Sequence, residues 1–139
     1  MIAILEQLAG ELSCRNLTDA EIVRIQKFHD AMIKAYIDRD RKAYFQANQD
    51  IHNALIAGAR NDILEAHHKL LAIRVRRARF MVNLSDERWA QAIREHEQMI
   101  EKLRNRDAEG LGQLMKTHML NKHAAHMRAL ETESGLKKG

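Results

Sequence analysis

The chain has 139 residues, no proline, one cysteine and a formal net charge of +4. That length suits a single domain, and a chain of this size buries roughly 68–70% of its unfolded surface, enough for a core without staples. The lone Cys14 excludes an internal disulfide and a Cys-x-x-Cys metal motif. No apolar run approaches the ~18 residues of a membrane span, and the opening MIAILEQLAGELSC, with Glu6 and Glu11 and no basic flank, makes a poor signal peptide. A cytoplasmic protein is expected.

Ala, Leu, Glu, Lys, Arg and Met dominate and β-branched runs are missing, a composition that favours helix throughout. Residues 2–14 read as a short amphipathic helix with Ile2, Leu5, Leu8, Ala9 and Leu12 on one side. Thr18 and Glu21 form a capping box that starts a second helix, which ends near Ile37. A third helix runs from about Asp40 to Ala57, with Gly58 as its expected terminator. Asn61 caps a fourth, to about Met81, with His68 in its apolar stripe, Ser85 caps a fifth, to about Asn105, and Asp107 caps a sixth that extends to about Leu130. The polar tail, residues 131–139, is expected to be disordered. The connections are short, so residues 1–130 are expected to form an all-α antiparallel bundle of six or seven helices.

Three of these helices carry a histidine inside the apolar stripe: His52 with Phe45 and Ile56, His96 with Trp89, Ile93 and Ile100, and His118 with Leu111, Leu114 and Met115. Asn48 lies one helical turn before His52 on the same face. A buried imidazole without a partner costs about 1–3 kcal/mol, and one metal ion would satisfy all three rings. A single histidine on an apolar stripe is more often a core residue than a ligand. Three of them make a metal site and a set of core histidines equal alternatives on spacing alone.

Other candidates point to less. His67 and His68 are adjacent and face different ways, His123 and His126 lie among Lys122 and Arg128 on a solvated face, and the His29-Asp30 doublet reads as surface. The basic run from Arg74 to Arg79 is the solvated side of the fourth helix, or else turns Arg74 and Arg79 towards a cavity to bind an anion. Without interleaved aromatics or a helix-turn-helix it does not read DNA, and weak, salt-sensitive attraction is the most it supplies.

The segments Asn48-Gln49-Asp50-Ile51-His52, Glu95-His96 and Lys116-Thr117-His118-Met119, with the Asp107-Ala108 step, resemble in order and spacing the FCD domain, the C-terminal effector domain of FadR-type GntR regulators. The likeness runs from about Leu5 to Leu130. It implies a helical bundle, a divalent metal held by Asn48, His52, His96 and His118, and a small carboxylate effector in the same cavity. Imidazole ligands favour zinc or nickel, with manganese behind them. It also implies a homodimer, consistent with apolar residues on a terminal helix, and DNA binding through a winged helix that this chain does not contain. Two residues depart from the family pattern: Asn48 stands where Asp is commoner, and Ile51 where Phe is usual. The expected function is a metal-dependent carboxylate sensor of a GntR-type transcriptional regulator and not an enzyme. A small metal-dependent enzyme is the alternative, but it needs a general base at an open coordination position, and Glu95, adjacent to His96, is expected to point elsewhere. A dimerisation module without metal is the third reading.

Overall fold

A computed structural model describes residues 1–80 and 85–138, with the side chains of all of these except 76–80 and 136–138. The described elements are helices: α1 (Ile2–Asn16), α2 (Asp19–Ile37), α3 (Arg41–Gly58), α4 (Asp62–Phe80), α5 (Asp86–Arg104) and α6 (Ala108–Lys138). They pack as a bundle, and no strand occurs among the described residues. No described helix is long and apolar enough to cross a membrane.

Five side-chain caps start the helices where the sequence places them. Thr18 and Glu21 form the reciprocal capping box. Asp40 accepts from the Ala43 N–H at 3.0 Å, Asn61 from Leu64 at 3.0 Å, Ser85 from Arg88 at 3.2 Å and Asp107 from Gly110 at 2.9 Å. Each cap satisfies a backbone donor that the first turn leaves orphaned, worth about 0.5–2 kcal/mol against alanine.

The reversals before three of these caps share one device. Arg39, Arg60 and Arg106 sit at φ 58°, 53° and 55°, each one residue before Asp40, Asn61 and Asp107. Gly58, expected to end α3, is instead its last helical residue, and the left-handed position falls to Arg60. Gly58 is small for another reason: a Cβ there would lie 2.6 Å from Leu17 Cδ2. A left-handed backbone costs a residue with a side chain about 1–2 kcal/mol. Arg106 offsets this by bonding the Cys14 carbonyl at 3.1 Å and Asp19 at 2.8 Å. Arg60 pairs with Glu21 at 2.7 Å, while the exposed Arg39–Asp86 pair contributes little.

The main core interleaves Ile25 and Met32 of α2, Ile51 and Leu55 of α3, Met99 and Leu103 of α5, and Leu111 and Met115 of α6. α1 lies against α6 and also reaches α3 and α4. Its buried face is only partly the stripe read from the sequence: Ala9 is buried and Leu12 packs beside it, but smaller and polar residues make up the rest. Ala3, Glu6, Gly10 and Ser13 face inward, while Ile4 and Leu8 are exposed. The reason is close approach: a Cβ on Gly10 would fall 2.6 Å from Met115 Sδ and 3.2 Å from Gly112 Cα, so small residues are needed where α1 and α6 touch. That contact brings Glu6 into the bundle. α6 continues past Leu130 and through Gly135 to Lys138, with no proline in residues 131–138 to interrupt it.

Candidate metal centre

His52 on α3, His96 on α5 and His118 on α6 converge at the middle of the bundle, all fully or almost fully buried. His96 Nε2 lies 3.2 Å from His52 Nε2 and 3.0 Å from His118 Nε2. Two nitrogens bound at about 2.1 Å on one metal ion would be about 3.0 Å apart at right angles and about 3.4 Å apart at a tetrahedral angle. The spacing therefore fits adjacent positions of one coordination sphere, and these three rings form the metal-competent cluster found among the described residues.

Two acidic residues hold the rings from behind. His52 Nδ1–H donates to Glu6 Oε2 at 3.1 Å, and the other oxygen, Oε1, accepts from His68 Nε2–H at 2.7 Å. His118 Nδ1–H donates to Glu95 Oε2. Glu95 is itself gripped by Arg88 at 3.1 and 3.2 Å and by Asn121 at 3.0 Å. A carboxylate on the far ring nitrogen is the usual way to orient a metal-binding histidine. Glu95 thus reaches the site after all, although as a support behind His118. Glu6 and His68 were not read as site residues. The signal for Glu6 was its phase with Ala3, Gly10, Ser13 and Leu17, which marks the inward face of α1. For His68 it was a place in the stripe of α4.

These bonds decide where the protons sit. With Nδ1–H engaged, the Nε2 atoms of His52 and His118 present bare lone pairs. His96 Nε2 can carry one proton and aim it at only one of them. A cation at the centre removes the remaining conflict. Burial pushes all three imidazoles to lower pKa; Lys122 adds to this for His52 and His118, and the neighbouring His118 and His52 rings add to it for His96. The rings are neutral near pH 7, the state a metal requires. Burial pushes Glu6 upward, but the His52 ring, together with hydrogen bonds from His52 and His68, holds it below the usual carboxylate range.

A cavity of about 800 Å³ opens beside the cluster. Asn48, His52 and His68 line one side, and Tyr44, Phe45 and Trp89 form an aromatic wall. Tyr44 stacks on Trp89 at 4.6 Å and donates its hydroxyl to the Trp89 carbonyl at 3.0 Å. Lys122 Nζ lies 3.3 Å from His52 Nε2 and 3.4 Å from Asn48 Oδ1, so Asn48 joins the cluster through it. Arg88, which the sequence did not single out, is buried in the wall. Arg74 is exposed while its neighbours Ile73 and Val75 line the cavity, and the side chain of Arg79 falls outside the described residues. His123 is exposed as expected, but His126 is half-buried in the cavity wall. His29 is not a surface residue: it is 2% exposed, 6.4 Å from the His96 ring, and neither ring nitrogen has a partner among the described residues. Burial lowers its pKa.

The FCD domain model matches residues 1–121. Among solved structures, the fold is similar to that of McbR/YncC from E. coli, at 18% identity over 91% of this chain and 64% of that one, with a TM-score of 0.82. It is also similar to the metal-free FCD domain of TM0439, at 20% identity over 94% of this chain and 89% of that one, with a TM-score of 0.71. The chain spans less than two thirds of the length of McbR/YncC. No curated protein matches it in sequence. The chain belongs to the FCD domain family.

Proposed function

We propose that this member of the FCD family is the effector-sensing domain of a GntR-type transcriptional regulator. His52, His96 and His118, with Asn48, hold a divalent ion, zinc or nickel before manganese. The carboxylate of a small organic acid completes the coordination positions that remain. The domain works as a cytoplasmic homodimer and reaches DNA through a separate winged helix. The observation that carries this reading is the convergence of three neutral histidines, with His96 Nε2 3.2 Å from His52 Nε2 and 3.0 Å from His118 Nε2, and two of the rings held lone-pair-inward by the carboxylates of Glu6 and Glu95. A metal there supplies a positive charge that attracts anionic oxygens. Lys122 adds a cation to the wall around it, and the aromatic side gives an apolar body a surface to rest on. Glu6 and Glu95 are both engaged by ring nitrogens, which favours ligand sensing over hydrolysis at this site.

The test is metal content and melting temperature, followed by a screen of organic acids. Purified protein should hold about one divalent ion per chain, and chelation should lower the melting temperature. His52→Ala, His96→Ala and His118→Ala should each remove most of the metal. Asn48→Ala should remove less, and Asn48→Asp should tighten binding. The control is His123→Ala, not His126→Ala, because His126 lines the cavity. Acids should stabilise only the loaded protein. Protein that holds no ion and gains no stability from zinc or nickel would return these rings to the status of core histidines.

A further inference from the structure

Lys122 stands where the site and the cavity meet. It lies one helical turn beyond His118 on α6, half-buried, with Nζ within reach of His52 Nε2 and Asn48 Oδ1 at 3.3 and 3.4 Å. Those are two of the four atoms that the metal reading assigns as ligands. The Nε2 of a ring whose Nδ1–H is engaged by Glu6 has one lone pair. It can accept an ammonium proton or bind a metal ion, but not both. Two cations within a few ångströms also repel each other strongly where water is scarce. A lysine offers a four-carbon stem with several rotatable bonds, so its head can leave without moving the helix. The cavity that Lys122 lines gives it somewhere to go.

We propose that Lys122 is an internal cation that keeps the metal's place at His52 and Asn48, and that metal entry turns its ammonium into the cavity to become a second attachment point for a carboxylate ligand. This rests on the metal reading above. Without metal, the ammonium donates to His52 Nε2, His96 can aim its single Nε2 proton at His118, and no lone pair is left facing another unscreened. With metal, the displaced charge adds to the cavity wall. Arg88 cannot supply it as readily, because its guanidinium is already paired with Glu95 and bonded to Gln91. Metal affinity is therefore lowered by the lysine, and anion affinity is raised by it only after loading.

Zinc affinity by chelator competition on wild type, Lys122→Met and Lys122→Arg tests the first half. Methionine keeps much of the apolar stem and removes the charge. Lys122→Met should bind zinc about tenfold more tightly or better, the scale of one lost charge-assisted hydrogen bond, with Lys122→Arg nearer to wild type. Equal zinc affinity in wild type and Lys122→Met overturns the proposal and leaves the metal reading standing. Absence of zinc binding in all three proteins overturns both. Benzoate, whose ring suits the Trp89 wall, probes the second half. It should stabilise zinc-loaded wild type, and several-fold weaker binding to zinc-loaded Lys122→Met is expected. Equal benzoate affinity in the two loaded proteins, or none in either, overturns the attachment role.

Discussion

Glu6→Gln tests the support behind the site. The substitution keeps the shape of the side chain and removes its charge and one of its two acceptor oxygens. In the native domain one oxygen accepts from His52 at 3.1 Å and the other from His68 at 2.7 Å, with Glu6 1% exposed. An amide can serve only one of these donors. The other ring must change tautomer or lose its bond, and if that ring is His52 its Nε2 becomes protonated and useless to a metal. Loss of one buried charge-assisted hydrogen bond and weakening of the other should remove about 2–3 kcal/mol of stability from the chelated protein. A chain of 139 residues unfolds with an entropy of roughly 0.3 kcal/mol per kelvin, so the melting temperature should fall by about 7–10 °C. Zinc affinity should drop about 10–100-fold, as is usual when the partner of a metal-binding histidine is altered. Urea titration and calorimetry of chelated protein, with zinc competition alongside, measure both effects. Glu65→Gln, an exposed change on α4, is the control. A Glu6→Gln protein that melts within about 2 °C of wild type and binds zinc within about threefold would refute the claim that this carboxylate anchors the site.

The chelated domain should lose stability in acid from about pH 6.5 downward. Burial depresses the pKa of His29, His52, His96 and His118 in the fold, so below that pH the unfolded chain takes up protons that the native one refuses. The slope approaches about 1.4 kcal/mol per buried histidine per pH unit, and a flat urea midpoint between pH 7.5 and 5.5 would contradict it. Glu6, whose pKa is also depressed in the fold, is fully stabilising above about pH 4.3 and gives up its contribution as the pH falls further. Gly112→Val should destabilise the domain by about 1–3 kcal/mol, because a Cβ at this position already meets Glu11 Cγ at 2.7 Å and the Gln7 carbonyl at 3.0 Å; an unchanged urea midpoint would show that α1 and α6 can part without loss. His29→Leu should leave stability equal or raise it by about 1 kcal/mol, since it removes two buried ring nitrogens without partners among the described residues. A fall of similar size would mean that the ring is hydrogen-bonded in solution.

Much of the helical framework was legible in the sequence because its signals are local. Thr18, Asp40, Asn61, Ser85 and Asp107 cap the helices that follow within three residues of themselves, and the absence of proline leaves each helix free to run to the next cap. The stripes that carry His52, His96 and His118 follow from helical period alone, so the central rings were in view before any contact was known. Chain reversal was less legible: a glycine is the usual left-handed residue, and here three arginines take that role, two of them, Arg60 and Arg106, with ion pairs to a distant helix in support.

Tertiary structure alone decided the surroundings of the rings. Hydrophobicity favoured a leucine face on α1, yet the close contact at Gly10 and Gly112 selects the face of smallest residues and carries Glu6 inward with it. Glu6 meets His52 across 46 positions of sequence and His68 across 62, Glu95 meets His118 across 23, and Lys122 meets His52 across 70. A cap or a stripe is set by the few residues around it, whereas the proton on a ring nitrogen and the cation beside it depend on which helices lie against one another, and that depends on the packing of the whole bundle.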